Sequence, residues 1–368
     1  MYRKTAIADL GDINYLGAAF KKAEEEKKLS IVYLGGSITQ GCNASTQEKR
    51  YVDLSAGWWK RRFPDLELTC FNAGIGATTS QFGAARVEDH VLSHEPDVVF
   101  VEFSVNDSDN MMFFETYESL IRRLLKNGGV RAVVIINNLF YDTGMNAQNI
   151  HNAVGRQYGL PIVSVRDNVY PRIMLGEIDP KVYTDDMLHP TDIGHKNVAE
   201  LICELLDEEY EIYKKSELTG KPDLAPKLTK CRYEDAAVIN NLNSSPELDG
   251  FTPDTHVAEQ FCDPFKNGWT ASAKGSSISF EVRGSIIMIQ WRRSVKQPAP
   301  VAYAVIDGKE QERVKLDANF DETWGDLCCL TMLTDKAEKG VSHRLTVTLE
   351  EEGTASDFML ISVITADR

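Results

Sequence analysis

The chain has 368 residues, enough for about two domains, each with its own core. Its 43% hydrophobic and 26% charged residues are the balance of a folded globular protein, which sets aside disorder, collagen-like repeats and coiled coil. A formal net charge of −15 repels phosphate backbones and anionic lipid, so neither nucleic acid nor a membrane is the expected partner.

In chain order, a first helix is predicted around residues 15–28. Val- and Ile-rich runs at 31–34, 66–71, 98–103, 130–136 and 161–165 have the length of buried strands. Between them 51–63, with its Trp58-Trp59 pair, 78–92, 113–125 and 147–158 carry helical spacing, and a long helix over 192–214 closes the series. Strands alternating with helices predict βαβ units: a three-layer αβα domain of flavodoxin-like type with a parallel five-stranded sheet, over residues 1–215. The texture changes at Ser216-Glu217-Leu218-Thr219-Gly220-Lys221-Pro222, so 216–235 is expected to be a linker or surface strap. Beyond it, short alternating runs at 278–282, 286–291, 302–306, 344–349 and 358–364, divided by turns such as Asp307-Gly308, predict an antiparallel β-sandwich, a jelly roll, over 236–368.

No apolar run approaches membrane-spanning length, and the first residues lack the apolar stretch of a secretory signal. The seven cysteines at 42, 70, 203, 231, 262, 328 and 329 are scattered, with no C-x-x-C pair, which argues against a disulfide framework or a zinc site. Reduced thiols fit a cytoplasmic protein.

The first predicted strand ends in Gly35-Gly36-Ser37-Ile38-Thr39-Gln40-Gly41. A serine on a Gly-rich turn at the carboxyl end of a strand lies where open α/β sheets place their sites; taken alone, the segment reads equally as a phosphate-cradling loop or a tight turn. A serine hydroxyl needs a base, and the base needs an acceptor that fixes its tautomer. Asp186-Met187-Leu188-His189-Pro190, just before the long helix, offers both from one loop, although a helix-start carboxylate beside a surface histidine has the same spelling. Donors for a developing oxyanion are available in Asn72-Ala73-Gly74-Ile75-Gly76 after the second strand and in Ser104-Val105-Asn106-Asp107 after the third. With strand order 2-1-3-4-5, Ser37 and Asn106 stand on neighbouring strand ends, roughly 5 Å apart in backbone terms.

These four segments together resemble the SGNH hydrolases, also called GDSL lipases and acylhydrolases, and the resemblance covers residues 29–215. It implies that Ser37 is nucleophile and first oxyanion donor, Gly76 the glycine donor with Gly74 as rival, Asn106 the side-chain donor, His189 the base and Asp186 its orienter. The implied chemistry is acyl transfer through an acyl-serine, with no metal or organic cofactor. Two positions depart from the family pattern: Gly36 replaces the usual Asp, and Ser104 a Gly. His195 and Cys42 are read as structural.

In the second domain, Phe320-Asp321-Glu322-Thr323-Trp324-Gly325-Asp326 presents a tryptophan among acids. Aromatic faces stack on sugars and carboxylates accept hydroxyl hydrogen bonds, so Trp324 is a candidate sugar platform unless it fills the sandwich core, where Trp291 is expected. The two-domain layout is similar to intracellular carbohydrate acetyl esterases with a carbohydrate-binding-module-like sandwich, acting on acetylated manno-oligosaccharides. An SGNH lysophospholipase or thioesterase acting on longer acyl chains and a non-catalytic sugar-binding protein are the alternatives.

Overall fold

A computed structural model describes residues 6–368, and the chain divides into two compact units, Met1–Cys231 and Arg232–Arg368. The first unit contains strands β1 (Ile7–Asp9), β2 (Lys28–Gly35), β3 (Glu67–Gly74), β4 (Val98–Glu102), β5 (Ala132–Asn137) and β6 (Ile162–Ser164). Its helices are α1 (Ile13–Glu25), α2 (Ser37–Gln40), α3 (Tyr51–Arg62), α4 (Ser80–His90), α5 (Met111–Lys126), α6 (Gln148–Gln157), α7 (Val165–Met174) and α8 (Asp192–Tyr213). The sheet runs β1-β6-β5-β4-β2-β3. Its five longer-range neighbours, β2 to β6, pair in parallel, and β1 adds an antiparallel edge strand that the sequence pattern did not reveal.

Every residue of β4 and β5 is buried, as expected of strands covered on both faces. Helices α1, α3 and α8 pack on one another, as do α4, α5 and α6, the two groups covering opposite faces of the sheet. The first group closes on aromatic rings: Phe20 lies 5.4 Å from both Trp59 and Tyr210, centroid to centroid. Trp58 and Trp59 are both buried, and the Trp58 indole donates to Asp207 at 2.8 Å, so each ring of the pair has a structural partner.

The register aligns Gly35 with Gly74 on one side and with Glu102 on the other. Three strand ends therefore meet at one edge, at the point where the strand order reverses direction.

Residues 216–231 run as a strap held on this unit. The Glu118 carboxylate of α5 accepts the Leu228 N–H at 2.6 Å, the Thr229 N–H at 2.7 Å and the Tyr158 hydroxyl at 2.6 Å. Arg122 donates to the Ala225 carbonyl at 3.0 Å. Burial alone would raise the Glu118 acid, but its hydrogen bonds from Thr229, Tyr158 and Leu228 outweigh that and hold it below the ordinary value.

The second unit is all β: β7 (Ala237–Ile239), β8 (Glu247–Asp249), β9 (Thr252–Pro253), β10 (Trp269–Ala271), β11 (Ser277–Val282), β12 (Ile286–Arg293), β13 (Val301–Ile306), β14 (Val314–Asp317), β15 (Leu327–Thr334), β16 (His343–Glu351) and β17 (Phe358–Ala366). Two sheets form, β15-β12-β17-β10-β9 with β7 on β17, and β14-β13-β16-β11-β8. All their pairings are antiparallel, and one core joins their inner faces through Trp269, Phe280, Trp291, Leu345 and Phe358. In β16 the residues alternate between buried and open positions over most of its length, the period of a strand with one wet face. No helix among the described residues is long and apolar enough to cross a membrane.

Glu118→Ala removes a charged acceptor from three donors and is expected to destabilise the first unit by about 2 to 4 kcal/mol. Thermal melting and protease cleavage within 216–230 check this; a melting temperature and cleavage rate equal to the wild type would mean that the strap is held by other contacts.

Candidate active site

The site begins at the turn that ends β2. Ser37 opens the single-turn α2, with the Gln40 N–H bonded to Gly36 O at 3.0 Å and the Gly41 N–H to Ser37 O at 3.0 Å. The end of β3 presses against this turn: a Cβ on Gly74 would lie 2.2 Å from the Gln40 nitrogen, so only glycine fits there. Asn72 ties the two together, donating to Thr39 O at 2.7 Å and accepting the Gly74 N–H at 2.9 Å.

The Asp186–His189 loop meets the serine from the other side of the edge. Asp186 Oδ1 accepts the N–H groups of Leu188 at 2.9 Å and His189 at 2.7 Å, while Oδ2 pairs with His189 Nδ1 at 2.6 Å. The bend between them requires Met187 in the left-handed region, φ 65°, a strained choice for a long side chain. His189 Nε2 lies 2.9 Å from Ser37 Oγ. An ionised carboxylate can only accept, so Nδ1 carries the ring proton and Nε2 is left to receive the serine proton. Burial works to raise the Asp186 acid, but the His189 ring, its own N–H and that of Leu188 outweigh this and lower it to about 2. Ser37 is 7% exposed, while the His189 and Asp186 side chains are 23% and 47% exposed, so the line of three groups rises from a nearly buried hydroxyl to an open carboxylate.

Asn106 stands beside the turn. A Cβ on Gly36 would come within 2.3 Å of Asn106 Oδ1, which gives a physical reason for glycine at this position: the carboxamide takes the space an aspartate would need. Of the two glycine candidates, the Gly74 N–H is held by the Asn72 side chain at 2.9 Å, within the turn that carries Thr39. Gly76 is beside the serine, with Ser37 Cβ 3.8 Å from the place its Cβ would occupy. Its N–H points at the Gln40 side chain, Oε1 at 2.9 Å.

Three groups to which the sequence reading gave no role, Asp107, His151 and Asp192, hold these parts in place. Asp107 accepts the Ser80 N–H at 2.9 Å and pairs with His151 Nε2 at 3.0 Å, both side chains fully buried, and so joins the Asn106 segment to the start of α4 just beyond Gly76. Asp192 accepts the Ser45 N–H and hydroxyl, each at 2.8 Å, and Lys49 at 2.6 Å, with Lys49 first among the causes that lower its acid to about 2. Asp107 lies inside a quoted motif; nothing in the sequence marks His151 or Asp192. His195 is buried and serves structure: Nδ1 accepts the Tyr51 N–H at 3.3 Å and Nε2 donates to Cys42 O at 3.0 Å. Burial, and then the charge of Asp186, raise the Cys42 thiol, which disfavours a reactive thiolate. Among the described residues no group of three or more His, Cys, Asp or Glu is arranged to hold a metal ion.

In the second unit Trp324 is 61% exposed and edge-on to Phe320 at 5.2 Å, whereas Trp291 is buried in the sandwich core. The far end of the turn is pinned by Asp326, which accepts the Ser294 hydroxyl and the Val295 N–H at 3.0 Å each.

A serine, a histidine and an aspartate in line at the switch point of a three-layer αβα unit have the arrangement of an acyl-transferring hydrolase. Residues 33–196 match the model of the GDSL-like Lipase/Acylhydrolase family. Over its whole length the chain is similar to a two-domain esterase (CEX) active on acetylated mannans, crystallised with mannopentaose: 42% identity, TM-score 0.94, covering 100% of this chain and 98% of that one. A second structure of that esterase matches equally. An acetylxylan esterase of Geobacillus stearothermophilus is 23% identical over 198 residues, 46% of this chain and 90% of that protein. The chain belongs to the GDSL-like lipase/acylhydrolase family and is a carboxylic ester hydrolase.

One further carboxyl group lies under the site. Glu102, the last residue of β4, is fully buried; its Oε1 accepts the Ser104 hydroxyl at 3.0 Å and the Ser104 N–H at 3.2 Å, which gives the family-divergent Ser104 a partner. Burial raises this acid to about 7, against the hydrogen bonds from Ser104 that lower it. From about pH 4.5 to 7 the folded state therefore keeps a proton that the unfolded chain releases, and the stability this group contributes is full below that window and lost as pH rises through it. Glu102→Gln keeps the acceptor and stays neutral. Its stability relative to wild type should increase from pH 5 to pH 8, by up to about 3 kcal/mol; a difference that does not change with pH would show that Glu102 carries no bound proton.

Proposed function

We propose that this protein is a serine esterase that removes O-acetyl groups from carbohydrate, with acetylated manno-oligosaccharides as substrate. The observation that carries the reading is the continuous Ser37–His189–Asp186 line of hydrogen bonds. The substrate class is supported by full-length similarity to an esterase active on acetylated mannans.

In this mechanism Ser37 Oγ attacks the acetyl carbonyl carbon while His189 Nε2 takes its proton. Asp186 stays ionised and stabilises the imidazolium. The negative charge on the former carbonyl oxygen is held by the Asn106 carboxamide N–H, the Gly76 N–H and the Ser37 N–H. Collapse breaks the ester C–O bond, and His189 returns the proton to the departing sugar hydroxyl. Water then repeats the sequence on the acetyl-serine and releases acetate. No metal or organic cofactor takes part. Trp324 is assigned to sugar stacking on the sandwich, which makes that unit a carbohydrate-binding-module-like domain. Seven cysteines, none of them in a disulfide, support a reducing compartment, the cytoplasm.

The deciding assay is acetate release from acetylated manno- and xylo-oligosaccharides by wild type and Ser37→Ala. Release from the manno-substrate should vanish in Ser37→Ala, a loss on the order of 10⁴-fold or more, and Asn106→Ala should cost roughly 10² to 10³ in kcat. Faster release from xylo-oligosaccharides would move the substrate to xylan, and turnover by Ser37→Ala near wild type would reject the nucleophile. Trp324→Ala should raise KM for oligosaccharides and leave a small aryl acetate unaffected, and equal losses on both would remove Trp324 from sugar binding.

A further inference from the structure

The N–H of Gly76, aimed at the reacting oxygen in the mechanism above, is not open in this structure: it donates to Gln40 Oε1 at 2.9 Å. Gln40 follows Ser37 by three residues on α2, a spacing that sets two side chains on one side of a helical turn. The position of a Cβ on Gly76 has Gln40 Oε1 at 3.0 Å and Ser37 Cβ at 3.8 Å, so the amide oxygen and the nucleophile's side chain both border Gly76. The backbone of Gln40 is fixed, bonded to Gly36 O at 3.0 Å and packed on Gly74. The residue is only partly buried.

We propose that Gln40 is an internal competitor for the oxyanion site: its carbonyl oxygen takes the Gly76 N–H in the free enzyme and is displaced by the acyl carbonyl of the substrate. The N–H has one hydrogen and serves one acceptor well at a time. Holding it satisfied avoids an unpaired donor while the site is empty, at the expense of apparent affinity for every ester, because the fraction of enzyme with an open site scales the observed binding. The inference rests on Ser37 and Gly76 acting as set out under the proposed function.

Steady-state kinetics of Gln40→Ala and Gln40→Glu on 4-nitrophenyl acetate and on acetylated manno-oligosaccharide test it, with the rate of Ser37 phosphonylation by a small phosphonyl fluoride as a readout free of deacylation. Gln40→Ala should raise kcat/KM on both esters and the phosphonylation rate by roughly three- to tenfold, the factor of one net hydrogen bond, with kcat undiminished. Gln40→Glu, a stronger acceptor, should lower all three. If Gln40→Ala instead lowers kcat, the side chain positions Gly76 and the competitor is overturned; unchanged rates overturn it as well. Ser37→Ala run alongside separates the two levels, since turnover by that variant would defeat the reading of the site itself, whereas an inert Ser37→Ala with an unimproved Gln40→Ala defeats only the competitor.

Discussion

The chemistry of this site depends on how one carboxylate distributes its lone pairs. Asp186 gives one oxygen to two backbone N–H groups and the other to the His189 ring. The first pair folds the four-residue loop back on itself, with Met187 held in the left-handed region; the second fixes which ring nitrogen carries the proton. Loop geometry and tautomer are thus set by the same group, and the three N–H donors that shape the loop also keep the carboxylate ionised. A carboxamide at 186 would satisfy fewer of these donors and leave the ring free to take the wrong tautomer, a local change with a large chemical effect.

Ser37 and His189 are 152 positions apart in the chain, so their 2.9 Å approach has to be maintained by the loops that carry them. Besides the Asn43 amide, which donates to His189 O at 3.4 Å, two fastenings cross between those loops. Lys49 and Ser45 reach Asp192 at an exposed position, where an ion pair contributes little. His195 bridges the Tyr51 N–H and the Cys42 carbonyl, with no exposure to solvent. Removing a buried group that satisfies a donor and an acceptor at once leaves both unpaired, at about 1 to 3 kcal/mol each. His195 therefore contributes more to the approach than the charged cluster does, although it takes no part in proton transfer.

How much of this was legible in the sequence follows from what each element depends on. The five parallel strands and six of the helices announce themselves by apolar period, and the strand-end motifs carry Ser37, Asn106, Asp186 and His189 to one edge. Strand β1 has three residues, all of them only partly buried, and its pairing with β6 is a tertiary event with no local signature. Helix α7 carries Pro171 inside it, which reads as a break. Strand β15 opens Leu327-Cys328-Cys329-Leu330 with partly buried residues on both faces, so no period of two stands out. Gly74 and Gly76 are not distinguished by spelling, since their different partners, Asn72 for the Gly74 N–H and Gln40 for that of Gly76, come from tertiary contacts.

Two carboxyl groups near the same edge have opposite electrostatic fates, and both suit an anionic transition state. Asp186, partly open and ringed by N–H donors, is lowered to about 2 and supplies the negative charge that a protonated His189 needs. Glu102, fully buried at the end of β4, is raised to about 7, which biases it toward the neutral form. Four residues further on stands Asn106, which the proposed mechanism assigns to the substrate's developing negative charge. An ionised carboxylate buried at that strand end would repel the oxyanion in a medium where charges are weakly screened, whereas a protonated one does not. In the proposed mechanism the sheet edge thus sets its ionised carboxylate behind the base and biases the one near the oxyanion toward neutrality.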